Sequence, residues 1–163
     1  VIVEDDFFTA VDDLNSGEED MGAGHMGETG FAAALFYLYV CIDRTELIEN
    51  LQGDTALADK AIASLLRCAA QVSPTGKQNS FASRAHASYI LAERGSEQPR
   101  TLSVAFLKAI SREDDVLANA IQRLTEKRVN FARAYGESAQ APIVMNADAG
   151  DGSLDAIADY ITG

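Results

Sequence analysis

Lys77, Gln78, Asn79 and Ser80 follow one another in a polar, turn-rich segment, Ser73-Pro-Thr-Gly-Lys-Gln-Asn-Ser80, with Arg84 a few residues on. Each carries a side-chain N–H or O–H, and such a row of cationic and neutral donors suits a sugar-phosphate backbone. A solvated turn has the same composition, because Pro and Gly stop the preceding helix and polar residues fill exposed loops. The Gly76-Lys77 pair also invites comparison with a triphosphate-binding loop, and that comparison fails. Such a loop needs Gly five positions before Gly76, where Gln71 stands, and Ser or Thr after Lys77, where Gln78 stands.

Other chemistry is poorly supplied. Asp148, Asp151 and Asp155 lie near glycines, as do Asp12 and Asn15, but neither group has the full ligand spacing or the closing Glu of a calcium loop. Cys41 and Cys68 are in no metal-like spacing, and a reducing, cytoplasmic setting fits them. The two histidines, His25 and His86, have no serine or cysteine set beside them as an activated nucleophile. No metal, no cofactor and no catalysis are therefore expected; the enzymatic rival would need His86 brought near an acid by folding.

Charge divides the chain. The net charge of −12 argues against nucleic acid when taken alone, since phosphate is met by Lys and Arg. Yet residues 1–30 hold nine acids and no base, whereas residues 60–136 hold twelve bases and six acids. From Lys60 to Ala92 there are four bases, His86 and no acid. That stretch can meet an anion, and the segment of donors lies inside it. The acidic excess supports a different class of reading, a protein-interaction module that docks a basic partner without touching RNA.

The elements that must position these residues read as an α+β order. Residues 1–14 alternate loosely, and residues 15–30, with five glycines and the run Glu18-Glu19-Asp20, read as a loop or hairpin tip. Residues 31–42 are dense in aromatic and branched side chains and predict a central strand, with Phe36 and Leu38 facing the core. Asp54 caps a predicted helix to about Gln71, with Ala58, Ile62, Leu65, Leu66 and Ala69 as its apolar stripe. A short strand over residues 88–92 and a short helix carrying Leu102, Phe106, Ala109 and Ile110 come next. A longer helix opens at the capping-box-like Ser111-Arg-Glu-Asp114, turns Leu117, Ala120, Ile121, Leu124 and Phe131 inward, and ends at Tyr135-Gly136. A small strand over residues 143–145 and a terminal helix capped by Ser153 complete the order. The longest apolar run is twelve residues, short of the roughly 20 that span a bilayer, so no membrane partner is expected.

Several strings together resemble a known family. Asp6-Phe-Phe-Thr-Ala-Val-Asp-Asp-Leu14, His25-Met-Gly-Glu-Thr-Gly-Phe31, Leu35-Phe-Tyr-Leu-Tyr39, Leu47-Ile-Glu-Asn-Leu51 and Pro74-Thr-Gly-Lys-Gln78 are similar to the C-terminal half of CasC. CasC is the CRISPR-associated backbone subunit of the type I-E Cascade complex. The resemblance implies the C-terminal part of one palm domain, an RNA-recognition-motif or ferredoxin-like fold, with residues 8–31 as a protruding acidic thumb hairpin and the N-terminal half absent. It also implies a non-catalytic role in antiviral defence, in which copies of the chain polymerise along crRNA beside other Cascade subunits and hold it for pairing with target DNA. By matching positions, Thr9 would touch RNA from the thumb, and Lys77 and Gln78 would face the RNA backbone.

Overall fold

The computed structural model describes residues 2–10, 25–111, 115–136 and 140–163. It divides into two compact units, Val1–Phe36 and Tyr37–Gly163, and its mixture of helices with small antiparallel sheets is of the α+β class.

In the first unit, β1 (Ile2–Ala10) and β2 (His25–Ala33) form an antiparallel hairpin with Ile2 opposite Ala33 and Ala10 opposite His25. Because side chains alternate along a strand, Val3, Asp5, Phe7 and Thr9 share one face and Glu4, Asp6 and Phe8 the other. Phe8 lies opposite Gly27, and a Cβ added there would stand 2.4 Å from the Phe8 Cζ, so the ring occupies the space that a side chain at 27 would need. The strand β2 starts inside the segment that reads from sequence as loop, since His25 and Met26 find partners in Ala10 and Thr9. The acidic run Glu18-Glu19-Asp20, with Asp12 and Asn15, lies outside the described residues.

The second unit is built on capped helices. Asp43 caps α1 (Arg44–Asn50) by accepting from the Glu46 N–H at 3.0 Å, and Asp54 caps α2 (Thr55–Gln71) by accepting from Leu57 N–H at 2.9 Å. A single turn, α3 (Gln78–Phe81), precedes β3 (Tyr89–Ala92), and a 3-10 turn follows at Ser103–Phe106. Then come α4 (Val116–Tyr135), β4 (Ile143–Asn146) and α5 (Leu154–Thr162), the last capped by Ser153 Oγ accepting from Ala156 N–H at 3.1 Å. The strands β3 and β4 pair antiparallel, with Tyr89 opposite Asn146. After β4, Asn146 and Asp151 exchange backbone bonds of 2.8 and 3.0 Å. At Gly152 the backbone has φ 70° and any Cβ would sit 2.3 Å from the Val144 carbonyl oxygen, so only glycine fits there.

The core is made largely of alanine. Helix α2 packs on α5, α5 on β4, α1 on α2, and α4 on the 3-10 turn. Ala58, Ile62 and Ala70 of α2, Ala120, Leu124 and Ala132 of α4, and Ile157 and Ala158 of α5 are buried. Ion pairs join elements: Arg44 reaches Asp59 at 2.8 Å between α1 and α2, and Glu93 after β3 takes Arg128 of α4 at 3.0 Å and Arg100 at 3.4 Å.

Further expectations from sequence are corrected. Residues 31–42 are not one strand: pairing stops at Ala33, residues 34–43 belong to no strand, and Phe36 and Leu38 are 76% and 66% exposed. Apolar density signals a wish for burial and does not itself supply a neighbour. The stripe of α2 runs through Ala70 rather than Leu65 and Ala69, with Leu65 47% exposed. The long helix is capped not at Ser111 but at Asp115, whose carboxylate accepts from Ala118 N–H at 2.9 Å. Helix α1 was not foreshadowed at all, although Asp43 with Glu46 three residues on is a helix-start pattern.

These burials separate two leucine-class side chains. Ile157→Ala removes a fully buried side chain and should cost about 2–5 kcal/mol, whereas Leu65→Ala, on an exposed position, should change stability by about 0.5 kcal/mol or less. Urea unfolding of both variants measures this, and equal losses would contradict the packing.

Candidate nucleic-acid interface

Helix α2 delivers the chain to the donor-rich segment, and two hydrogen bonds close its base. The Ser73 hydroxyl donates to the Ala85 carbonyl at 2.9 Å, and Ala87 N–H donates to the Ala70 carbonyl at 2.8 Å. Within the loop so closed, Lys77 has φ 55° and Ala82 φ 46°, both in the left-handed region that costs a residue with a Cβ roughly 1–2 kcal/mol. Between those two turns α3 makes one helical revolution, with Phe81 N–H on the Lys77 carbonyl at 3.0 Å and Ala82 N–H on the Gln78 carbonyl at 3.0 Å.

Gln78 holds this shape. Its Nε2 donates to the Pro74 carbonyl at 2.5 Å and to the Ser83 carbonyl at 2.9 Å, which joins the two arms of the loop across α3. Both amide hydrogens are thereby used inside the loop, and its Oε1 is buried without a partner. Gln78 is half-buried, while Lys77, Asn79, Ser80 and Arg84 are exposed. The row of donors seen in sequence is thus divided by geometry: one of them shapes the loop, and the others are carried on its outside.

Most other arginines of this unit are engaged. Arg67, a base of the acid-free stretch, is paired with Asp155 at 2.7 Å, and Arg94 donates to the Tyr160 carbonyl at 2.8 Å with its guanidinium 5.9 Å from the Tyr160 ring. Arg123 donates to the Lys108 carbonyl at 2.7 Å. Arg84 has no hydrogen-bond or ion-pair partner among the described residues, and its five N–H donors face solvent. His86 is exposed two residues further on. Among the described residues no three His, Cys, Asp or Glu side chains converge as a metal site, and no helix is long and apolar enough to cross a membrane.

Thr9 belongs to the other unit. It is exposed on β1 directly opposite Met26, on the face that also carries Phe7 and Val3, and Met26, Phe7 and Val3 are 70%, 64% and 63% exposed. The face thus exposes three large apolar side chains together with the acids Asp5 and Glu28. Sequence alternation could have found it: Val3, Phe7 and Thr9 are spaced by even numbers, and only the register with β2 was needed to add Met26.

The model of CT1975-like proteins matches residues 1–159 of the chain. Among solved structures, a chain of a "CRISPR RNA-guided surveillance complex" is similar with a TM-score of 0.77 and 28% identity, covering 99% of this chain and 64% of that one. A chain of a "CRISPR RNA-guided surveillance complex, pre-nicking" is similar with a TM-score of 0.73 and 28% identity, covering 99% of this chain and 46% of that one. The chain therefore spans less than two thirds of the length of either. No curated protein matches it significantly.

The role of Gln78 is open to measurement by amide exchange. Gln78→Ala removes two hydrogen bonds, each contributing about 0.5–1.5 kcal/mol. Exchange at the Phe81 and Ala82 amides should quicken about tenfold or more while the global melting temperature falls only slightly. Unchanged exchange at those amides would remove Gln78 as the brace of the loop.

Proposed function

The chain belongs to the CT1975-like protein family, and on that footing we propose that it acts as a non-catalytic, guide-RNA-binding backbone subunit of a type I-E CRISPR surveillance complex. The observation that carries the reading is the match over 99% of the chain to a chain of an RNA-guided surveillance complex. The CasC resemblance supplies the finer identity. Copies of the protein line up along crRNA in the cytoplasm beside other Cascade subunits and present the guide for pairing with target DNA, so that base pairing reads sequence and protein reads backbone.

The loop supplies the chemistry for such a contact. Lys77 and Arg84 bring charge, Asn79 and Ser80 bring neutral donors, and Gln78 fixes the spacing between them. Directed at phosphate and sugar, these contacts carry no base information, which suits a subunit that must hold any guide. Thr9 makes the second contact, from the exposed apolar face of the hairpin, where Phe7 and Met26 offer surface to unstacked bases. The palm is RNA-recognition-like in this reading, with the hairpin as thumb.

The net charge of −12 is the strongest observation for a second reading, an acidic module that docks a basic protein. Screening favours the first reading. At physiological ionic strength the Debye length is about 8 Å, so distant acids act weakly on a phosphate seated against a loop whose own sequence neighbourhood, Lys60 to Ala92, contains none.

Lys77→Glu combined with Arg84→Glu, in the assembled protein, should weaken RNA binding several-fold. It should also flatten the plot of log K against log salt by about 0.7 per lost phosphate contact on a single strand. A salt slope identical to that of the unmodified protein would exclude this loop as a phosphate contact.

A further inference from the structure

The folding of the donor loop leaves one of its polar atoms unused. The Gln78 side chain offers two amide hydrogens and one carbonyl oxygen. Its Nε2 donates to the Pro74 and Ser83 carbonyls at 2.5 and 2.9 Å, and these two acceptors fix which end of the amide is which, because the reverse orientation would set oxygen against oxygen. The Oε1 therefore points where the brace puts it, and it is buried without a partner among the described residues. Gln78 as a whole is half-buried, so this atom lies just under the surface of a loop whose Lys77, Asn79 and Ser80 are exposed.

A buried acceptor with no partner is costly in the free protein, and a ligand that brings an O–H or N–H removes that cost. Ionised phosphodiester oxygens only accept, so they cannot do so. In a sugar-phosphate strand the donor beside each phosphate is the ribose 2′-hydroxyl, the group by which a protein tells RNA from DNA. Base N–H groups are the other donors, but they change with sequence, and a loop that relied on them would not hold every guide alike. The other loop residues discriminate poorly. Lys77 and Arg84 carry no acceptor on their side chains, and Asn79 and Ser80 are exposed to water that replaces a missing hydroxyl.

We propose that Gln78 Oε1 accepts a hydrogen bond from the ribose 2′-hydroxyl and makes the loop selective for RNA over DNA. The assignment rests on the loop's contact with guide RNA and adds a reason why the loop seats the guide and not the DNA paired with it. Both strands carry the same phosphates, and only one carries the hydroxyl. The hydroxyl enters by a shift of exposed side chains, while the backbone braced through Nε2 stays in place. A fixed acceptor that only one of two near-identical ligands can satisfy rejects the other strongly.

The test compares two single strands of one sequence, RNA and RNA with fluorine in place of every 2′-hydroxyl, binding to the protein as its own cells make it. Fluorine keeps the sugar pucker of RNA and removes the donor. RNA should bind about tenfold more tightly per bound copy. Gln78→Ala should bring that ratio close to one, whereas Asn79→Ala with Ser80→Ala should weaken both strands and keep it. A ratio near one in the unmodified protein overturns the proposal and leaves the RNA reading standing, and a ratio that survives Gln78→Ala, or is lost with Asn79 and Ser80, does the same. If neither strand's binding responds to Lys77→Ala with Arg84→Ala, the loop is no RNA contact and both readings fall.

Discussion

The seam between α2 and α5 sets the geometry on which the second unit depends. Ala58 and Ile157 are both fully buried, one small and one branched, and helices approach as closely as the side chains at their contact allow. An alanine-rich interface tolerates little change in volume, since interiors are packed to crystal-like density. From this seam α5 reaches β4, β4 pairs with β3, and the far end of α2 at Gln71 opens into the donor loop. The loop is therefore placed by rigid elements, while its own shape is set locally.

That local shape carries a cost and a purpose. Two residues with Cβ atoms, Lys77 and Ala82, hold left-handed conformations at either end of α3. Strain of this kind persists only where the surroundings over-determine it. Here the surroundings are the two bonds from Gln78 and the two that close the base of the loop. The consequence is a display of Lys77, Asn79 and Ser80 outside a braced turn, with Arg84 beyond it. A flexible loop of the same composition would lose more side-chain and backbone freedom on binding a phosphate backbone.

Legibility from sequence followed the range of the interactions. Caps are local, and Asp54 and Ser153 could be read because a capping side chain needs only the next three residues. The short strands β3 and β4, the end of α4 at Gly136 and the α+β class were legible for the same reason. Residues 31–42 were misread because their composition reports a demand for burial without naming the partner that meets it. Gln78 was half legible: its amide was visible as a donor, but that both hydrogens turn inward depends on the left-handed Lys77, which no propensity favours. The hairpin face with Thr9 needed the register with β2, a long-range quantity, before Met26 could be joined to it. The loop was nonetheless locatable, because an acid-free stretch containing Pro, Gly and consecutive donors is a local pattern.

The account places RNA against two exposed surfaces, one in each unit: the loop around Lys77 and the face of β1 that carries Thr9. Ultraviolet crosslinking of the purified complex with its guide RNA, followed by peptide mapping, tests this most directly. The account predicts crosslinked peptides from residues 73–84 and from β1 at Phe7 to Thr9. Crosslinks confined to other parts of the chain, with both of these surfaces unmodified, would contradict it.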